Sequence, residues 1–316
     1  MKSPICHVTV VGCGLIGTGW ASWFLNRGLN VICSDPVSGD WQRLRQRVST
    51  QLAEIGHDEG AREQMLSRLR LEPEIEQAVA AAEWIQESVP EDLEVKRKAL
   101  ARIDHAASSH AVIASSTSSL KISDLQRGLS HPERLVAGHP FLPVPLIPLV
   151  EVAGGVHTSA SSIDLAMAFY EFVGKRPIRL RKEVNGHVAN RLQAALMREA
   201  FYLLQEGVAS ARDIDLALTE GPGQRWVATG PFVSHQLAGG EGGARQAFAN
   251  LGEALRTMWS DLGSPTLTAE LQATVIAGSE ECMADKSQEK WAEERRRLVR
   301  AVQREKALLE KERSQR

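Results

Sequence analysis

The stretch Val8-Thr9-Val10-Val11-Gly12-Cys13-Gly14-Leu15-Ile16-Gly17-Thr18-Gly19-Trp20 decides how the chain reads. A β-branched apolar run breaks into glycines at G-x-G-x-x-G spacing, and an apolar pattern of helical period follows at once. Each glycine has its own mechanical task. Gly12 permits the tight strand-to-helix turn, Gly14 lets backbone approach a pyrophosphate, and Gly17 lets the helix lie close against the sheet. The first helical turn, with Leu15 and Ile16, aims its N–H groups at the phosphates. A second apolar run, Val31-Ile32-Cys33-Ser34, ends in Asp35. A carboxylate about 20 residues after the glycine turn accepts a hydrogen bond from a ribose 2′-OH. Asp35 also argues for NAD over NADP, because a 2′-phosphate would meet its negative charge and no arginine follows immediately.

At 316 residues the chain has room for two domains. Its 43% apolar and 24% charged content is that of an ordinary globular protein. The net charge of −2 gives no basic field for nucleic acid or an anionic membrane, so neither is expected as a partner. No uncharged apolar run reaches transmembrane length, and the chain enters its first strand without the features of a signal peptide. Cys6, Cys13, Cys33 and Cys282 have no C-x-x-C spacing and read as reduced thiols of a cytoplasmic protein. No close His/Cys cluster suggests a metal.

Along the chain, Asp40 to Leu71 has helical spacing and predicts a long helix or helical hairpin. Glu76 to Ala82 continues the helical pattern. Trp84 to Val89 reads as a short strand broken by Pro90, and Glu91 to Ala106 as a helix. Ala111 to Ala114 is a strand running into Ser115-Ser116-Thr117-Ser118-Ser119, and Leu135 to Gly138 another, ending at His139. This alternation predicts an α/β fold, a doubly wound Rossmann-type parallel sheet with ligands at the carboxyl ends of its strands. From residue 186 onward the pattern is helical without strands. The expected organisation is a dinucleotide-binding domain over 1–185 and an all-helical substrate and dimerisation domain over 186–316. The charged tail from Lys286 reads as a solvated terminal helix in preference to a partner-binding arm.

A second constellation runs from Gly138-His139-Pro140-Phe141 through a proline-stiffened loop to Glu151, inside an apolar strand. A carboxylate in such surroundings is costly to bury unless paired, and His139 is its natural partner. Together they would make a general base, with the carboxylate fixing the histidine tautomer. A structural histidine beside an unrelated exposed glutamate is the alternative.

Taken together, these pieces resemble the 3-hydroxyacyl-CoA dehydrogenase superfamily over nearly the whole chain. The resemblance is carried by the glycine turn with Asp35, by Glu87-Ser88-Val89-Pro90-Glu91 followed by Lys96, and by Ser116-Thr117-Ser118-Ser119-Leu120. The loop from Gly138 to Glu151 and the stretch Gly186-His187-Val188-Ala189-Asn190-Arg191-Leu192 complete it. It implies an NAD-dependent oxidation of a secondary alcohol β to a carbonyl carbon. His139 would take the hydroxyl proton and Glu151 would orient it. Ser118 and Asn190 would hold the substrate oxygen. Glu91, Lys96 and Ser116 would line the cofactor, and the protein would be a homodimer.

Within the superfamily the chain looks most like the branch that oxidises small free acids such as L-carnitine. Glu83-Trp84-Ile85-Gln86-Glu87-Ser88, Gly223-Gln224-Arg225-Trp226 and His235-Gln236-Leu237-Ala238-Gly239-Gly240 carry that likeness. A hydroxyacyl-CoA or L-gulonate as substrate, or a non-catalytic crystallin-like or NAD-sensing protein, are the alternatives. Leu142 and His187 depart from the family pattern, which commonly has asparagine and phenylalanine there, and Pro145 stands where the branch acting on L-carnitine tends to have tyrosine. Trp226, Phe232 and Tyr202 remain as aromatic faces for a trimethylammonium group.

Overall fold

A computed structural model describes residues 5–35 and 40–314. Residues 36–39, where the lack of an arginine after Asp35 bears on cofactor choice, lie outside the described residues. The chain divides into two compact units, Met1–Arg191 and Leu192–Arg316.

The first unit is built on one sheet. Its strands are β1 (His7–Val11), β2 (Asn30–Ser34), β3 (Leu69–Leu71), β4 (Trp84–Glu87), β5 (Val112–Ser115), β6 (Leu135–Pro140), β7 (Leu149–Gly154) and β8 (Arg176–Arg179). They lie side by side in the order β3-β2-β1-β4-β5-β6-β7-β8. The chain reverses its winding direction between β1 and β4, the switch point at which a crevice opens beyond the strand ends. Helices α1 (Leu15–Asn26), α2 (Trp41–Glu54), α3 (Glu59–Leu66), α4 (Ile75–Val79), α5 (Leu93–Ala106), α6 (Ile122–Leu125) and α7 (Ala160–Phe172) connect and cover the strands.

The alternating side chains of the strands feed two cores, one on each face of the sheet. Val8, Val10 and Trp84 join Trp20 and Phe24 of α1 and Phe169 and Tyr170 of α7 on one face. Val11, Ile85 and Ile113 join Leu100 and Ile103 of α5 and Val79 of α4 on the other. Trp20, Phe24 and Trp84 are completely buried, each worth about 1.5–3 kcal/mol relative to exposure. This packing anchors the glycine turn between β1 and α1.

Three features differ from the reading of the sequence. The helical stretch 40–71 is a hairpin of α2 and α3 that ends in β3, with Leu69 and Leu71 paired to Val31 and Cys33. The sheet is not wholly parallel, because β7 runs antiparallel to β6. Segment 141–148 is too short for the crossover of a dozen or more residues that a parallel partner needs. Finally, β8 adds to β7 in parallel after α7, a strand whose charged, half-exposed sequence Arg-Pro-Ile-Arg conceals it.

The second unit is helical, as expected. It continues α8 (Ala189–Gln205) and contains α9 (Ala211–Glu220), α10 (Pro222–Trp226), α11 (Pro231–Ala238), α12 (Gly243–Asp261), α13 (Ala269–Met283) and α14 (Gln288–Ser314). Large apolar side chains stand open on it, Phe232 89% and Trp259 67% exposed among them. Tyr202 packs against the backbone of Gly263, and among the described residues no ring contact joins it to Trp226 or Phe232. Among the described residues no helix is long and apolar enough to cross a membrane.

Candidate active site

The turn after β1 is held by close contacts that only glycine permits. Gly12 has φ +91° and lies so near Ser88 and Val89 that a Cβ would stand 2.6 Å from the Val89 nitrogen. A Cβ on Gly17 would fall within bonding distance of the Gly12 carbonyl oxygen. A Cβ on Gly14, by contrast, would meet no atom within 4 Å, because that residue faces a cleft of about 700 Å³. Gly14 is also the N-cap of α1 and offers no capping side chain, so the first N–H groups of α1 are left to a ligand. Asp35 lines the same cleft, and its Oδ2 accepts the Cys13 N–H at 3.0 Å. A β1–α1 turn without side chains, an open cleft and an acid at the end of β2 fit the pyrophosphate and ribose of NAD.

The cleft wall carries a charge network, buried at Lys96 and Glu87. Lys96, 1% exposed, donates to Glu87 Oε1 at 2.8 Å and to the Val89 carbonyl at 3.1 Å, and lies 3.4 Å from Glu91 Oε2. A buried lysine with its N–H groups so placed has its donors satisfied. Glu91 uses its other oxygen to organise the serine loop after β5. Oε1 accepts from Thr117 Oγ1 at 2.7 Å, from the Ser118 and Ser119 N–H groups at 2.8 Å each, and from Ser119 Oγ at 2.9 Å. Burial pushes the Glu91 carboxyl up, but the Thr117 hydroxyl, the Lys96 ammonium and Ser119 prevail and hold it down at about 2. Ser116 is an inner strut: its hydroxyl accepts from Trp20 Nε1 and Gln86 Nε2 and shares a hydrogen bond with Ser88 Oγ.

His139 and Glu151 lie directly opposite each other on β6 and β7. His139 Nδ1 is 2.9 Å from Glu151 Oε2. The glutamate is neither exposed nor unrelated, since it is fully buried and its Oε1 accepts the Val188 and Ala189 N–H groups at 2.8 and 3.0 Å. Burial pushes the Glu151 carboxyl up, and the hydrogen bonds from His139, Ala189 and Val188 outweigh it, leaving the group below the ordinary carboxylate range. An ionised Glu151 requires the proton of the pair on Nδ1, so that in the neutral imidazole Nε2 is the acceptor.

Of the residues singled out from the sequence, Gly12, Gly14, Leu15, Ile16, Asp35, Glu91, Lys96, Ser116 and Ser118 line the cleft, as does the departing Leu142. Gly17 acts from beneath, through its contact with Gly12. Asn190 is half-buried in the first turn of α8, directly after the N–H groups that cap Glu151. Val95, Lys98, Ala99 and Arg102 also wall the cleft and were not foreseen. Their spacing marks one face of α5, a signal that the 3.6-residue period offered. Among the described residues no cluster could hold a metal ion.

A glycine turn at the switch point of a Rossmann sheet, an acid at the end of β2 and a buried His–Glu pair at the end of β6 define a dinucleotide-dependent dehydrogenase. The model of the 3-hydroxyacyl-CoA dehydrogenase NAD binding domain matches residues 7–184, and that of the family's C-terminal domain matches 186–261. The chain belongs to the 3-hydroxyacyl-CoA dehydrogenase family, NAD-dependent oxidoreductases that act on CH–OH groups. It is 46% identical to an L-carnitine dehydrogenase of Streptomyces coelicolor, over 91% of each chain. An L-carnitine dehydrogenase of Bacillus cereus is 45% identical, over 88% of this chain and 86% of the relative. Among solved structures, the NAD-dependent 5-formyl-3-hydroxy-2-methylpyridine 4-carboxylic acid 5-dehydrogenase superposes with a TM-score of 0.79 at 25% identity, covering 95% of this chain and 98% of that one. The (S)-3-hydroxybutyryl-CoA dehydrogenase of Ralstonia eutropha gives a TM-score of 0.67 at 29% identity, covering 87% and 94%.

Proposed function

We propose that this protein oxidises the 3-hydroxyl of L-carnitine to 3-dehydrocarnitine, with His139 as general base. The observation that carries the chemistry is the buried His139–Glu151 pair at the carboxyl end of β6. The choice of substrate is supported by identity to proteins named L-carnitine dehydrogenase over most of both chains.

When bound, NAD supplies the hydride acceptor, its nicotinamide ring. His139 Nε2 would take the proton of the substrate hydroxyl, the part of the oxidation that the chain's own residues carry. Glu151 keeps Nδ1 as the donor and stabilises the imidazolium that forms. Ser118, on the loop organised by Glu91, and Asn190, at the start of α8, hold the substrate oxygen. Residues 1–185 serve as the NAD-binding domain and 186–316 as the substrate and dimerisation domain of a homodimer. Cys13, Cys33 and Cys282, which form no disulfide, suit a cytoplasmic setting.

The test is NADH formation with L-carnitine, 3-hydroxybutyrate, L-gulonate and 3-hydroxybutyryl-CoA as substrates. The highest kcat/KM is expected with L-carnitine. A higher value with 3-hydroxybutyryl-CoA would move the protein to the second reading, which the structural match to a hydroxybutyryl-CoA dehydrogenase favours.

A further inference from the structure

His187 is the one non-glycine residue among those described with a left-handed backbone, at φ +51° directly after Gly186 at φ +76°. This turn sends the next two N–H groups to Glu151 and folds the His187 ring inward, where it is 4% exposed. There it stacks on the His139 ring, with centroids 4.9 Å apart and planes inclined by 30°, within the offset-stacking range. Its Nε2 is 3.0 Å from the Thr117 carbonyl oxygen. A carbonyl only accepts, so Nε2 carries the proton and Nδ1 is the bare acceptor of a neutral ring. That Nδ1 is buried and has no hydrogen-bond partner. An unpartnered buried polar atom is a recurring cost, and a ring kept there against that cost and in a strained backbone does something an apolar side chain would not.

We propose that His187 is a positioning residue for the base: its neutral ring fixes the plane of His139 by stacking and ties it to the serine loop through Thr117. This rests on His139 being the base. The groups that act on His187 are His139 of β6, Glu151 of β7, Glu91 before α5 and the Thr117 carbonyl after β5. Burial pushes His187 below the ordinary histidine range and a positive His139 adds to this, against the pull of the Thr117 carbonyl, Glu151 and Glu91. A second proton would enter at Nδ1, where no acceptor waits and an imidazolium would lie against an imidazolium. His187 therefore stays neutral beside a protonated His139 and acts on it through packing, not through charge.

The experiment compares full-length wild type, H187F, H187Q and H139Q by kcat and kcat/KM for L-carnitine oxidation across pH, with NADH fluorescence titration as the check on folding. H187F keeps a ring without nitrogens, and H187Q keeps a donor without the ring. Both variants should bind NADH as wild type does. H187F, which keeps the stack and loses the Thr117 hydrogen bond, should retain more of kcat than H187Q, which should fall about tenfold because the ring plane is no longer fixed. Wild-type kcat in both variants would overturn the proposal. So would loss of NADH binding in both, which would make His187 a part of the fold alone. Turnover surviving in H139Q would instead overturn the base assignment on which the proposal rests. A dead H139Q with wild-type kcat in both His187 variants would remove only the role of His187.

Discussion

His139 and Glu151 face each other across the β6–β7 pair with Nδ1 2.9 Å from Oε2, and the other glutamate oxygen receives the Val188 and Ala189 N–H groups. The carboxylate thus joins a strand end to the start of α8. Because β7 is antiparallel, the register that puts His139 opposite Glu151 also puts both side chains on one face of the sheet.

The Glu91 carboxylate should stabilise the fold in a pH-dependent way. Its pKa is depressed from 4.5 to about 2 in the folded chain. Its contribution is therefore complete above the unfolded value and is lost as pH falls through about 2. Glu91→Gln should lower stability by about 1–3 kcal/mol at neutral pH, the range for hydrogen bonds to a charged group. Thermal unfolding measured from neutral pH downward should show the two proteins converging, and a constant difference would contradict the assignment.

Asp35 should set the cofactor preference. A 2′-phosphate about 4 Å from this carboxylate would be disfavoured by about 1–4 kcal/mol, so kcat/KM should be higher with NAD than with NADP. Asp35→Ala should lose discrimination more than turnover with NAD, measured with both cofactors at saturating substrate. Equal use of NADP by the wild type would end this role.

The helical unit should pair with a second copy about a two-fold axis. Phe232, Leu237, Trp259 and Leu298 are each more than half exposed, and apolar area of that kind marks an interaction surface. Light scattering at micromolar concentration should give twice 34.6 kDa. A species at 34.6 kDa alone would contradict it.

The glycine turn, the alternation of strands and helices and the helical second half could be read directly, because short-range period and steric rules decide them. Nine of the residues picked from motifs line one cleft, Gly12 through Ser118. What escaped depends on partners distant in sequence. β3 is only a strand because Val31 and Cys33 accept Leu69 and Leu71 beside them. The direction of β7 and the existence of β8 follow from how a short loop and α7 bring the chain back to the sheet. His187 was visible as an unusual residue, but its stacking on His139 requires a left-handed turn that no local preference announces.

Glu151→Gln tests the central claim most directly. The glutamine oxygen would keep the Val188 and Ala189 N–H groups, turning its NH₂ toward His139 Nδ1. That donor forces Nδ1 to accept, so the proton moves to Nε2 and the base is held in the wrong tautomer. Turnover of L-carnitine should fall about 10²–10⁴-fold in kcat, the range for loss of a positioned general base, with NADH binding unchanged. A kcat within twofold of wild type, accompanied only by a lower melting temperature, would show that Glu151 is structural and that the dyad is not the base.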